Sequence, residues 1–221
     1  MPPTPVERRA HYDDFVAQVI RLCEINSIRT DLVSGRGRPI EDCPRMPEHL
    51  DHRIAGFGAA RAHYTVASLL AMQRDLPHED GPYLPETALP DSSTADQHTD
   101  TTGHAQQTPP TTGTATGREH AARAWRTRPN LGTSLAIAAA RHGFDPTRMT
   151  GKVKTLTRLG TPLLHPALFS LAAHLHAKDA ARLDFAVLLE DLTWWEYDRK
   201  HIAARWRNSY FITLHTLTQE H

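Results

Sequence analysis

Apolar positions along the chain recur at helical spacing and never alternate like a half-solvated strand. Phe15, Val16, Val19, Ile20, Leu22 and Cys23 fall on one side of a first helix. Thr4-Pro5-Val6-Glu7 starts it with an N-cap, a proline at the first helical position and a glutamate three residues after the cap. This helix is expected to fade near Asn26, followed by a short turn over residues 28–33. Residues 34–47, SGRGRPIEDCPRMP, carry too many glycines and prolines for a helix. Pro47 then begins a second long helix, expected to reach about Asp75, with Leu50, Ile54, Phe57, Tyr64 and Leu70 on its apolar side. Gly56 and Gly58 each weaken it by about 1 kcal/mol relative to alanine, and are read as points where another helix comes close. Farther along, helix 131–142 is closed by Gly143. Asp145-Pro146 caps a helix that stops at Gly160, and another covers 166–176. Asp184 caps 185–194, and Asp198 caps a last helix whose stripe is Ile202, Trp206, Tyr210, Thr213 and Leu217.

Residues 76–117 interrupt this pattern. They hold six prolines, ten threonines, six acidic residues and no lysine or arginine. Such a composition buries too little apolar surface to offset chain entropy. The expected architecture is therefore all-α: two small helical bundles, residues 1–75 and 118–221, joined by a flexible acidic linker or loop at 76–117. The zero formal net charge conceals a gradient. Residues 1–75 carry 10 basic and 10 acidic side chains, and residues 118–221 carry 15 and 9. No apolar run approaches the roughly 20 residues of a membrane span, and the N-terminus lacks a signal-peptide core. Two cysteines are too few for a disulfide framework. A cytoplasmic protein with no membrane partner is expected.

The chain lacks the nucleotide-binding patterns GxxxxGKS/T and GxGxxG and the hydrolase patterns GxSxG and HExxH. Cys23, Cys43, His49 and His52 offer zinc-type ligands, but no CxxC pair supports such a site. The carboxylate pairs Asp13-Asp14, Glu190-Asp191 and Glu196/Asp198 have simpler readings. Asp198 serves as a cap, and Glu190 and Asp191 fall on what reads as the solvated side of an amphipathic helix. Neither a cofactor nor a metal nor an enzymatic activity is expected.

The basic residues say more. Arg148 and Lys152 stand four apart, as do Lys154 and Arg158, and such like-charge pairs cost an isolated helix about 0.2–0.5 kcal/mol each. Lys154 and Arg158 point away from the Met149, Val153, Leu156 face. Lys200 and Arg207, seven apart, share one flank of the last apolar stripe. Arg36 and Arg38 sit in the glycine-containing loop, and Arg126 and Arg128 precede the helix at 131. Together these residues suggest a surface that tracks phosphates and does not read base edges. Trp206 lies in the apolar stripe. Of Trp194 and Trp195 one is expected to be exposed and available to stack on a base.

Residues 183–211, LDFAVLLEDLTWWEYDRKHIAARWRNSYF, resemble the C-terminal signature of the CasB family, small subunits of the type I-E CRISPR surveillance complex, Cascade. The matching positions are Asp184-Phe185, Leu188-Leu189-Glu190-Asp191-Leu192, Trp195, Arg205-Trp206 and Tyr210-Phe211. Asn130-Leu131-Gly132-Thr133-Ser134-Leu135 is similar to the family's NxGxSL segment. Phe15-Val16, Arg29, Asp31-Leu32 and Gly35-Arg36-Gly37 resemble its first helix and basic loop. Lys152-Val153-Lys154 departs from an Arg-Arg-aromatic run, and the threonine-rich stretch at 91–117 is unusually long. The resemblance implies an all-α subunit of two helical bundles with no catalytic activity. Its partners would be the backbone and large Cascade subunits, a second copy of itself, the guide RNA and the target DNA. Contacts to nucleic-acid backbones, especially the displaced strand, would stabilise the R-loop in antiviral defence. Arg36 and Arg205 are carried over from the family's pattern. Arg38, Arg128, Arg148, Lys152, Lys154, Arg158, Lys200 and Arg207 come from the charge argument. The competing reading is a helical adaptor that binds protein only.

Overall fold

Thr4 and Glu7 cap each other in the structure. The Glu7 amide donates to Thr4 Oγ1 at 3.3 Å, and the Thr4 amide donates to the Glu7 carboxylate at 2.7 Å. They open helix α1, Pro5–Leu22, which buries Tyr12, Phe15 and Val19. The structure, a computed structural model, describes residues 3–73, 124–177 and 183–219. Among these it is all-α, with eight α-helices and no strand. The expected linker at 76–117 lies outside the described residues.

Where a turn was expected after α1, the chain forms helix α2, Asn26–Ser34. Its Ile28, Thr30 and Val33 are weak helix formers, so the helix is held by tertiary contact. It lies on the helix Ala60–Met72, where Leu32 is fully buried. Arg29 donates to the Ala71 carbonyl at 2.9 Å and to that of Gln73, covering the C-terminal end of that helix. A 3-10 turn at Ile40–Asp42 is the only regular element in the glycine-proline loop.

The long helix expected from Pro47 is two helices, α3 (Pro47–Ile54) and α4 (Ala60–Met72). Between them Gly56 and Gly58 have φ of +85° and +65°, and a Cβ on either would meet nothing within 4 Å. Among the described residues no helix approaches them, so the expected close approach is corrected. Their use is the left-handed backbone that turns the chain and lays Phe57 flat on His11 of α1, with ring centroids 3.6 Å apart. Residues 62–71 of α4 are buried without interruption, and α1, α2 and α3 all pack on it.

In the C-terminal half, Asn130 caps α5, Leu131–Arg141, accepting from the Thr133 amide at 3.2 Å. Its Gly132 faces the Trp206 backbone so closely that a Cβ would sit 1.9 Å from the Trp206 carbonyl oxygen. Asp145 caps α6, Pro146–Leu156, which ends short of the expected Gly160. Helix α7, Thr161–His176, starts a turn earlier than expected and carries Pro166 inside it. Pro166 has no N–H, which leaves the Pro162 carbonyl without its helical donor. Arg61 of α4 supplies the missing donor at 3.2 Å.

The last element is α8, Phe185–Gln219, broken at Asp198 (φ −129°, ψ 30°). The Asp184 carboxylate accepts from the Val187 amide at 3.0 Å, capping its start. In a straight helix the Cα atoms of Trp195 and Trp206 would be about 16 Å apart. Their rings instead stack with centroids 4.8 Å apart, so the two arms turn back on each other at the break. That matches the separation into two helices expected from the sequence. The Asp198 carboxylate accepts from the His201 ring. The buried apolar residues of both halves form one continuous cluster, and α8 packs on α1 and α4 as well as on α5 and α6.

Candidate nucleic-acid interface

The turn at Asp198 brings the second arm of α8 beside the end of α6. Arg158, Arg199, Lys200 and Arg207 there line an open cleft of about 350 Å³ with Thr157 and Ala203. Arg158 belongs to the turn after α6, its amide bonded to the Thr155 carbonyl at 3.0 Å. Lys154 and Arg158 are therefore not a helical i,i+4 pair, because α6 has already ended at Leu156. The Thr157 hydroxyl donates to the Val153 carbonyl at 3.0 Å and fixes the turn. None of the four cations has an ion pair or side-chain hydrogen bond among the described residues. Four like charges around one cleft repel each other, and an anion between them would relieve that repulsion.

Arg199 was not among the residues singled out from the sequence. The signal was present: Arg199, Ala203 and Arg207 recur at i, i+4 and i+8 on one face. The small Ala203 between them leaves the cleft its floor. The expected pair Lys200 and Arg207 does converge here. Arg148, Lys152 and Lys154 lie on α6, with Arg148 and Lys154 exposed and Lys152 half-buried. Arg148 stands 3.6 Å from Asp145, an exposed pair that contributes little to stability.

Arg36 and Arg38 are both exposed. Arg38 donates to the Ser34 carbonyl at 2.6 Å. Arg36 has φ +50°, and the next residue, Gly37, has φ +71°. A Cβ on Gly37 would lie 2.5 Å from the His165 carbonyl oxygen, so the loop docks its backbone against α7. His165 is one helical turn beyond Thr161, at the start of α7. An arginine held at positive φ is strained, and glycine would not be. Arg36→Gly is expected to stabilise the fold by roughly 0.5–1 kcal/mol while weakening nucleic-acid binding. Parallel denaturation and binding titrations check this, and loss of stability with unchanged binding would give Arg36 a purely structural role.

Arg128 and Arg205 are placed differently, inside ion-pair networks. Arg128 donates twice to Asp184, at 2.6 and 2.8 Å, and once to Asp13 at 2.7 Å, with its guanidinium 4.4 Å above the Trp125 ring. Burial lowers the Arg128 pKa, but the bonds and charges of Asp184 and Asp13 outweigh it and raise it. Arg205 donates to Asp191, whose other oxygen accepts from Trp206 Nε1 at 2.6 Å. Asp191 is buried, and Glu190 accepts from Arg9 at 3.0 Å and from Trp125 Nε1 at 2.6 Å. The expectation that Glu190 and Asp191 form a solvated helix side is thus corrected. Both carboxylates are held by donors from distant parts of the chain. Burial pushes the Cys23 thiol up to about 11, and neither cysteine joins His49. His49 instead groups with Asp31 and Glu48, and Arg45 stands 3.5 Å from Asp31.

Among the described residues no helix is long and apolar enough to cross a membrane. Solved structures share this fold. A chain of a CRISPR RNA-guided surveillance complex is similar at 23% identity with a TM-score of 0.67, covering 96% of this chain and 98% of that one. A chain of a surveillance complex in a pre-nicking state is similar at 26% identity with the same TM-score and coverage. A comparison with curated protein sequences finds no match. The sequence profile of CRISPR-associated protein Cse2 matches residues 29–211, which takes in α3 to α7, the last two turns of α2, the loop at Arg36, the whole cleft and most of α8. The chain therefore belongs to the Cse2, or CasB, family.

Proposed function

We propose that this chain is a non-catalytic small subunit of a type I-E CRISPR RNA-guided surveillance complex. In this reading the cleft of Arg158, Arg199, Lys200 and Arg207 holds phosphates of the displaced DNA strand. Convergence of four cations with no carboxylate partner among the described residues carries the reading. Arg36, Arg38, Arg148, Lys152 and Lys154 are proposed as further phosphate contacts. Arg128 and Arg205 act by positioning, since each is bound to a buried aspartate. R-loop formation is nearly balanced, so a few phosphate contacts are enough to tip it. A second copy of the chain and the backbone and large subunits are its proposed protein partners, with guide RNA a further nucleic-acid contact.

The test is single-strand affinity as a function of salt. Arg158→Glu combined with Arg207→Glu removes two exposed cations without touching the core. Affinity at low salt is expected to fall by one to two orders of magnitude, and the slope of log K against log salt to flatten by about 0.7 per lost contact. An unchanged slope removes the cleft from the reading. Phe211 (44% exposed) and Ile212 (67%) on the second arm of α8 favour the adaptor reading at that end. If the cleft variant assembles normally and retains DNA targeting, the adaptor reading replaces this one.

A further inference from the structure

Beside the cationic cleft lies a second one, of about 580 Å³, at the turn in α8. Tyr197, Glu196, Asp198, Arg199, Lys200 and His201 line it, so Arg199 and Lys200 are shared by both clefts. Tyr197 is 82% exposed, and its hydroxyl makes no hydrogen bond among the described residues. Its ring meets the Trp194 ring edge to face, with centroids 6.2 Å apart. The Arg8 guanidinium lies 5.1 Å from the Trp194 ring centre and covers that ring. The free aromatic surface is therefore that of Tyr197, braced by Trp194. The chemistry of the two clefts also differs. Glu196 and Asp198 line only the second, where they repel phosphate and accept hydrogen bonds from the N–H groups of a base.

We propose that the second cleft is a nucleobase site, in which one unpaired base stacks on Tyr197 while the flanking phosphates lie against Arg199, Lys200, Arg158 and Arg207. This rests on the phosphate reading above and adds the base to it. A strand held only by phosphates can slide. One stacked base fixes its position without selecting its sequence, because every base offers a π-face. It also confines the site to single strands, since a base paired in a duplex has no free face to offer.

The experiment compares two ligands on the full chain: an oligothymidylate and an abasic oligonucleotide of the same length. The wild-type chain is expected to bind the oligothymidylate more tightly. Tyr197→Ala should lower that affinity by about five- to a hundredfold and leave the abasic affinity unchanged. Tyr197→Phe should keep the discrimination. Trp194 is the exposed member of the four tryptophans, so its fluorescence should be perturbed by the oligothymidylate and not by the abasic strand. Equal wild-type affinity for the two ligands overturns the base site, as does a Tyr197→Ala chain that discriminates like wild type. Tyr197→Ala that weakens assembly with partner subunits but neither oligonucleotide makes the ring a protein contact and also overturns it. Failure of the phosphate reading is separate: it shows as no salt-dependent binding of either strand.

Discussion

Arg128→Ala is expected to destabilise the fold by about 3–5 kcal/mol, the cost of leaving a buried carboxylate without its ion partner. The Asp184 side chain is 1% exposed, and besides the Arg128 fork it accepts from the Val187 amide at the start of α8. One guanidinium thus serves the segment before α5, the cap of α8 and, through Asp13, helix α1. Arg128→Lys should recover only part of the loss, since an ammonium cannot form the two parallel bonds of the fork. Asp13→Asn should cost less than about 1 kcal/mol, because that pair is half exposed to solvent and screened by it. Urea denaturation of the three variants gives the order directly. If the Arg128→Ala midpoint equals wild type, the network is not what holds these elements together.

Arg128 also shows where the sequence was legible and where it was not. Its charge and its place before α5 are evident in the sequence and point to a phosphate contact. Its partner Asp184 is 56 residues away and Asp13 is 115, so no local pattern announces them. The same holds for Glu190 and Asp191, whose alternation with apolar neighbours looks like a solvated face until Arg9 and Arg205 arrive. Caps were legible because donor and acceptor lie two or three residues apart, as at Thr4, Asp145 and Asp184. The break at 55–59 was not, because a glycine lowers helix propensity whether or not the chain turns there. Helix α2 was missed because its stability comes from Arg29 and Leu32 against α4 and not from its own residues. In the cleft, the spacing of Lys200 and Arg207 was legible on one arm of α8. Arg158 joins them only because the chain folds back at Asp198.

Acid should destabilise this protein well before its carboxylates titrate. Burial lowers the pKa of His63 to about 4 and that of His165 to about 4, both from a usual 6.5. His63 is fully buried, and its Nδ1–H donates to the Ala59 carbonyl at 3.1 Å. Its Nε2 must then accept from His11 Nε2–H at 3.0 Å. Protonating His63 sets two N–H donors against each other beside Phe15. His165 faces the Thr65 hydroxyl at 2.7 Å, and the nearby charge of Arg61 adds to the burial that keeps it neutral. Burial lowers the pKa of His11 too, with Asp14 opposing. Between pH 6.5 and 4 the unfolded chain binds protons that the folded chain refuses, so stability falls as pH falls. Each buried histidine contributes up to about 3 kcal/mol across that window. Asp13 works the other way, since burial raises its pKa, the Arg128 bond only partly opposing this; its effect begins near the low end of the range. His63→Gln and His165→Gln should each flatten the profile of denaturation midpoint against pH. A wild-type midpoint that holds steady from neutral pH to about 4.5 would contradict both assignments. His165 has a second consequence, because its carbonyl is the surface on which Gly37 docks. The folded chain charges this ring only near pH 4, where α7 loosens beneath the Arg36 loop, so single-strand affinity should fall at the low end of the interval over which stability is lost, and His165→Gln should remove that fall.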